Sequence, residues 1–227
     1  MIKAVLIDID DTLLDFEGFC IEAMKDGFAY FGLRPYEDWM IATFNRINGA
    51  LWQEIERGEL TLPQLREFRW QRIFKAFDID FDGAVFEDYF RRYLFDCGIP
   101  VTGSYELLEA LHGHYHLYVV SNGPYKQQLN RLEKANMLHY FDDVFVSEQV
   151  GYQKPLLEFF DYCFQRIPFE KDEIIIIGDS LTSDMAGGRE AGIKTCLFDR
   201  YDRYSNGEDV DLRVTTLAEI PSLLEKM

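Results

Sequence analysis

The sequence predicts an α/β protein, a parallel sheet core interrupted after its first strand by an all-helical domain. Three observations carry this. Five short apolar or β-branched runs end in polar residues, helical patterns separate the later runs, and about eighty residues between the first two show helical periodicity without a convincing strand.

In chain order, Lys3–Asp8 is an apolar run ending in an acid, the mark of a buried parallel strand. Residues 16–96 follow with "DWMIATFNRINGALWQEIERG" and "LPQLREFRWQRIFKAF", separated by Pro35, Gly58, Pro63 and a turn at Asp78–Gly83. This segment is expected to be a helical cap, leaving 1–15 and 97–227 as the core. Hinges near Leu14–Glu17 and Cys97–Pro100 would let it close and exclude water. Strands are then expected at His116–Gly123, Asp142–Glu148, Glu173–Ser180 and Ile193–Phe198. Helices are expected at Ser104–Leu111, Tyr125–Ala135, Leu156–Gln165 and Leu181–Ala191. Such alternation implies a parallel sheet with helices on both faces.

Composition narrows the function. The formal net charge of −17 argues against a nucleic-acid binder, which needs a basic face. It leaves room for a small phosphorylated substrate if a metal and a few local cations reverse the field. No apolar run approaches the roughly 20 residues needed to cross a bilayer, and no signal peptide is evident. Cys20, Cys97, Cys163 and Cys196 are widely spaced and read as reduced thiols. A cytoplasmic protein with neither membrane nor nucleic-acid partner is expected; oligomeric state is not legible.

Ligands of open parallel sheets bind at the carboxyl ends of the strands. Four polar clusters converge there: Asp8 and Asp10 in "IDIDDTLLD", Ser121 and Asn122 in "VVSNG", Lys154 in "GYQKP", and Asp179 in "IIIIGDS". Carboxylates this crowded repel unless a cation or a reaction uses them. Phosphoryl transfer through an aspartyl-phosphate fits. A carboxylate can attack phosphorus where the site is electrostatically prepared, and Asp10 can protonate the leaving oxygen and then activate water. Lys154 neutralises phosphate and carboxylate together; Ser121 and Asn122, with their backbone N–H groups, hold phosphoryl oxygens. Asp8, Asp179 and the Asp10 carbonyl offer oxygen ligands to Mg²⁺, with Mn²⁺ equally acceptable to the same donors. Asp184, in the first turn of the next helix, is placed to anchor Lys154 or a metal-bound water.

"DIDDTLL", "VVSNG", "KP" and "GDSLTSD" resemble the four ordered motifs of the haloacid dehalogenase (HAD) superfamily, and the resemblance covers essentially the whole chain. It implies a Rossmann-like core with an inserted helical cap. The family's nucleophile, acid/base, Thr, Ser, Lys and metal Asp fall on Asp8, Asp10, Thr12, Ser121, Lys154 and Asp179. "DDTLLDF", "NGALWQEIERGEL" and "FVSEQVGYQKPLLEFF" are similar to the branch of bacterial pyrimidine 5′-nucleotidases, which implies nucleoside monophosphates as substrates. A phosphosugar phosphatase or phosphomutase on the same core is the alternative, although "DFEGFCIEAM" lacks the acid-and-His signature of hexose-phosphate mutases. A haloacid dehalogenase needs no second catalytic Asp, so Asp10 counts against it. A phospho-accepting signalling domain normally carries its Asp on a middle strand, where Ser121 and Glu148 stand here.

Other features have plainer readings. His112, His114 and His116 straddle a helix end and a strand start, which disfavours a metal cluster. "GGREAG" is expected to serve helix packing and a C-cap, and the acids of Asp199–Asp211 a solvated loop. Phe16, Phe19, Trp52 and Trp70 read as cap packing. Phe16, next to the first motif, is also a candidate substrate contact, with Asn48 and Arg69 weaker ones.

Overall fold

The computed structural model describes residues 1–204 and 209–227, which form two compact units. Met1–Asp15 with Gly98–Met227 make an α/β unit, and Phe16–Cys97 make a helical unit that includes Cys97. In chain order, β1 (Ala4–Ile7) is followed by α1 (Phe16–Tyr30), α2 (Trp39–Glu56), α3 (Leu62–Phe77) and α4 (Gly83–Phe95). Next come α5 (Ser104–Leu111), β2 (His116–Ser121), α6 (Tyr125–Lys134), β3 (Asp143–Val146), α7 (Ser147–Val150) and α8 (Leu157–Phe164). The chain finishes with β4 (Ile174–Gly178), α9 (Ala186–Ala191), β5 (Lys194–Phe198), β6 (Leu212–Val214) and α10 (Ile220–Leu224).

All six strands are parallel, in the order β3-β2-β1-β4-β5-β6. Five match sequence-predicted runs. The sixth, β6, is a three-residue edge strand beside β5, too short to leave a hydrophobic pattern. The central strands are apolar on both faces because both are covered. Val5, Ile7, Val119, Ile175 and Ile177 pack in one core with Leu107 of α5 and Leu132 of α6; Leu6, Val120, Phe145, Ile174 and Ile176 pack on the other with Phe159 and Phe160 of α8. Each fully buried aliphatic side chain contributes about 1.5–3 kcal/mol.

The predicted helix Leu181–Ala191 divides into a π-turn, Leu181–Met185, and α9. The Ser180 hydroxyl accepts from Ser183 N at 3.2 Å and caps the turn. At the far end, Gly192 takes φ +79°, and a Cβ on Gly187 would lie 2.5 Å from the Phe160 ring. Packing and a C-cap therefore account for "GGREAG". The histidines form no cluster: His112 meets the Tyr140 carbonyl at 3.3 Å, and His116 meets Asp142 at 2.7 Å.

One expectation needs correcting. Asp199 is not on a solvated loop but buried, accepting from Arg203 N, Tyr204 N and the Arg213 guanidinium at 2.6–3.1 Å. Burial alone would raise its pKa, but these donors hold it below the usual carboxylate range. Residues 205–208 of the same stretch lie outside the described residues.

Within the helical unit, the capping box Thr61/Gln64 starts α3, and Asp82 caps α4 through Ala84 N at 2.8 Å. Trp70 lies 4.3 Å from Phe86 and 5.3 Å from Phe90, ring centre to ring centre. Beside this aromatic core the Arg69 guanidinium donates to both Glu87 oxygens at 3.0 and 2.6 Å and to Asn48 Oδ1 at 3.4 Å, all three residues being buried. In the α/β unit, the segments flanking this insertion run side by side. Val101 N donates to Leu13 O and Asp15 N to Ile99 O, at 2.9 and 2.8 Å. An insertion that leaves and returns at one place disturbs the host sheet little.

Removing one partner of the buried Arg69–Glu87 pair strands a charge. Glu87→Ala is expected to cost about 3–5 kcal/mol, while Arg69→Met with Glu87→Leu stays within ~1 kcal/mol of the parent. All three tryptophans (Trp39, Trp52, Trp70) lie in the helical unit, so urea unfolding followed by tryptophan fluorescence reports this directly.

Candidate active site

Asp8 follows β1 and Asp179 follows β4, and these strands are neighbours, Ile7 opposite Ile177. Between them the strand order reverses, so the connecting segments diverge and leave a crevice at the carboxyl edge. Ser121 ends β2, on the other side of β1. The sheet order thus gathers clusters that lie more than a hundred residues apart.

Lys154, 1% exposed, is the hub. Its Nζ donates to Asp8 Oδ1 and Asp184 Oδ1, both at 2.6 Å, and to the Val120 carbonyl at 2.8 Å. Three acceptors use the three protons of an ammonium. Burial opposes its charge, but Asp184 and Asp8 outweigh burial and raise its pKa above the ordinary lysine range. Its backbone is clamped by Asn122, whose Nδ2 donates to Lys154 O at 2.9 Å and whose Oδ1 accepts from Lys154 N at 2.8 Å. The Asn122 side chain is thus engaged with the Lys154 backbone on both its donor and its acceptor.

Asp184 is bound more closely than an outer support. Besides Lys154 it accepts from Ser180 N at 3.3 Å, and a Cβ on Gly178 would lie 2.2 Å from its Oδ2. Glycine is needed at 178 because the Asp184 carboxylate occupies the space of a side chain. Asp8, Asp179 and Asp184 each offer a carboxylate oxygen within 4.8 Å of the others. Burial first, then Asp184 and Asp10, raise Asp8 to about 7 against the opposing pull of Lys154. Desolvation, then Asp11, Asp8 and Asp184, raise Asp179 well above the usual carboxylate range. Two carboxylates driven toward their protonated forms, beside a third, are a hard-oxygen donor set short of positive charge, and Mg²⁺ fits it. Thr12 Oγ1, fully buried in the turn after Asp10, has no hydrogen-bond partner.

Asp10 faces other groups. Its Oδ1 accepts from Arg131 Nη1 at 2.6 Å and its Oδ2 from Gln128 Nε2 at 2.9 Å. Gln128 Nε2 also donates to Ser121 Oγ at 2.8 Å. Sequence reasoning missed both α6 residues. The available signal was their spacing: Gln128, Arg131 and Leu132 fall at i, i+3 and i+4, so two polar residues occupy a core-facing stripe. Of the helical-unit candidates, Phe16 is half-buried, with its ring 6.0 Å from Phe19 and 6.4 Å from Phe44. Arg69 is engaged with Glu87, and Asn48 with Arg69, as described.

The haloacid dehalogenase-like hydrolase profile matches residues 2–192. The Bacillus subtilis protein YfnB is 37% identical over 195 residues, covering 86% of this chain and 83% of its own. Its crystal structure, bound to magnesium, aligns with a TM-score of 0.89 at 34% identity over 98% of each chain. The pyrimidine 5′-nucleotidase PynA of Streptococcus pneumoniae is 34% identical (85% of this chain, 82% of its own). The pyrimidine 5′-nucleotidase YjjG of Escherichia coli is 28% identical (98% and 97%). Among the described residues, no helix is long and apolar enough to cross a membrane. With four polar clusters gathered at one sheet edge and a family profile spanning most of its length, this chain belongs to the haloacid dehalogenase-like hydrolases.

Proposed function

We propose that this enzyme is a Mg²⁺-dependent phosphatase that works through an aspartyl-phosphate on Asp8, with nucleoside 5′-monophosphates, pyrimidine ones foremost, as substrates. The observation that carries the reading is the buried Lys154 ammonium shared by Asp8 and Asp184 beside Asp179. The nucleotide preference draws on the similarity to PynA and YjjG.

Asp8 is the nucleophile. Held by Lys154 on Oδ1, it keeps its other oxygen for attack on phosphorus. As that bond forms, the bond from phosphorus to the ester oxygen breaks, and the leaving oxygen takes a proton from Asp10. Asp10, now a carboxylate, removes a proton from water, which attacks the phosphorus of the aspartyl ester. Phosphate departs, and the Asp8 carboxylate and Asp10 acid are restored. Lys154 balances charge spreading over the phosphoryl oxygens; the Ser121 hydroxyl, Thr12 and the Asn122 N–H hold them. Asp8, Asp179 and the Asp10 carbonyl would hold Mg²⁺, with Asp184 adjoining, and when bound the ion neutralises acid and phosphate together. Phe16 is the proposed aromatic contact to substrate, with Asn48 and Arg69 as further candidates.

Phosphate release from a panel of nucleoside monophosphates and sugar phosphates, with Mg²⁺ or EDTA, is the direct test. Release is expected to need Mg²⁺, to favour pyrimidine monophosphates, and to fall more than about 1,000-fold in Asp8→Asn. Release from sugar phosphates alone removes the nucleotidase assignment and keeps the phosphatase. Absence of Asp8-dependent release removes both.

A second prediction follows from the raised acids. A carboxyl whose folded pKa lies above its unfolded value favours the fold at low pH, and that contribution is lost as pH rises from about 4 to about 7. Mg²⁺ competes with those protons. The gain in Tm on adding Mg²⁺ is therefore expected to be larger at pH 8 than at pH 5.5, and scanning calorimetry at both pH values measures it. An equal gain at both would show that Asp8 is not among the groups the ion meets.

A further inference from the structure

We propose that Gln128 and Arg131, on the buried face of α6, are positioning residues that aim the Asp10 carboxyl at the leaving oxygen. The inference rests on the phosphatase reading above.

Gln128 is 0% and Arg131 1% exposed. Burying an amide and a guanidinium against a hydrophobic sheet is costly unless each finds partners, and both do. Arg131 Nη1 donates to Asp10 Oδ1 at 2.6 Å and to Gln128 Oε1 at 2.9 Å. Gln128 Nε2 divides its protons between Asp10 Oδ2 at 2.9 Å and Ser121 Oγ at 2.8 Å. Each oxygen of Asp10 is therefore held by a different α6 residue. The terminal torsion of a carboxylate is otherwise broad, and two donors from one rigid helix fix it. The Asp10 side chain stays 35% exposed, so the carboxyl is anchored on one edge and open on the other. Each oxygen has two acceptor positions, so anchoring leaves room for the proton that moves in catalysis.

The same amide touches Ser121, the proposed phosphate-holding hydroxyl. Gln128 is thus a strut of fixed length between the phosphoryl site and the acid. Glycine at 123 makes space for it: a Cβ there would lie 2.5 Å from Gln128 Nε2 and 2.7 Å from its Cδ. Gly123→Ala therefore shifts the strut without removing a polar group, which makes it the cleanest perturbation if Arg131→Met or Gln128→Leu fail to fold.

The test separates aim from mere stability. In the first half-reaction the leaving oxygen of an alkyl ester needs the Asp10 proton, whereas p-nitrophenolate leaves well without it. We would measure single-turnover release of the leaving group from a nucleoside 5′-monophosphate and from p-nitrophenyl phosphate, for the parent, Gly123→Ala, Gln128→Leu, Arg131→Met, Arg131→Lys and Asp10→Asn. Crystal structures of the parent and Gly123→Ala accompany the kinetics. A misplacement of about 1 Å costs on the order of 100-fold. For Gly123→Ala, Gln128→Leu and Arg131→Met the expected result is a loss of roughly 10- to 100-fold on the alkyl ester and under about 3-fold on the nitrophenyl ester, with Asp10→Asn marking the full loss on the alkyl ester. Arg131→Lys should recover part of the loss, and the Asp10 carboxyl should be turned in Gly123→Ala. Equal losses on both esters, no loss, or an unmoved Asp10 overturns the proposal. A parent without Asp8-dependent release overturns the phosphatase reading and this proposal together; an active parent with uniform losses overturns this proposal alone.

Discussion

One buried ammonium organises the α/β unit's polar edge. Lys154 comes from a loop after β3, yet it meets a carboxylate that follows β1, another in the turn after β4, and a carbonyl on β2. Leaving an ammonium unpaired at this depth would cost several kcal/mol, so the three acceptors and the fold that delivers them are obligatory together. The dependence runs outward. Asn122 is where it is because the Lys154 backbone needs both a donor and an acceptor, and Gly178 lacks a side chain because Asp184 fills that space. Asn122 and Gly178 are thus both conditions for one ion-pair triad.

The triad also explains how a chain of net charge −17 can turn toward an anionic substrate. Net charge describes the long-range field, which salt screens within about 10 Å. At the strand ends the local count differs: Lys154 and Arg131 are both buried and both paired to carboxylates that flank the crevice. The remaining excess of acid lies on Asp8, Asp179 and Asp184, where a divalent ion fits. Under the proposed function, acidity at the site and affinity for phosphate are compatible because a bound cation would stand between them.

Much of this was legible from the sequence, for a physical reason. A parallel strand covered on both faces must be apolar throughout, so any polar residue at its end stands out, and Asp8, Ser121 and Asp179 each follow such a run. The convergence of those ends follows from the rules of parallel sheets, without knowledge of side-chain contacts. What stayed hidden depends on tertiary partners. Gln128 and Arg131 sit in a helix whose sequence, "YKQQLNRLEK", looks solvent-facing on nearly every side, and only the sheet beneath it makes their burial meaningful. Asp199 was hidden for a different reason: it ends an apolar run, but its partner Arg213 lies in a strand too short to recognise. Local pattern reveals a polar residue amid apolar ones; it conceals a buried polar residue amid polar ones.

That distinction bears on how "DID" divides its work. Asp8 and Asp10 stand two residues apart, too close to differ by sequence position alone, yet their surroundings separate them. Asp8 is enclosed and tied to a lysine; Asp10 is a third exposed and tied to an arginine and an amide from a different helix. A nucleophile and an acid need different environments more than different chemistry, and an enzyme assigns roles to paired carboxyls by surrounding each differently. Here the separation comes from the two sides of one strand end: the loop bearing Lys154 approaches Asp8, and α6 approaches Asp10. Exchanging the two aspartates would therefore change nothing, because both positions already hold the same residue. In the proposed mechanism the roles in this pair are set by the neighbours, and the groups that orient Asp10 lie on α6 rather than in the motif itself.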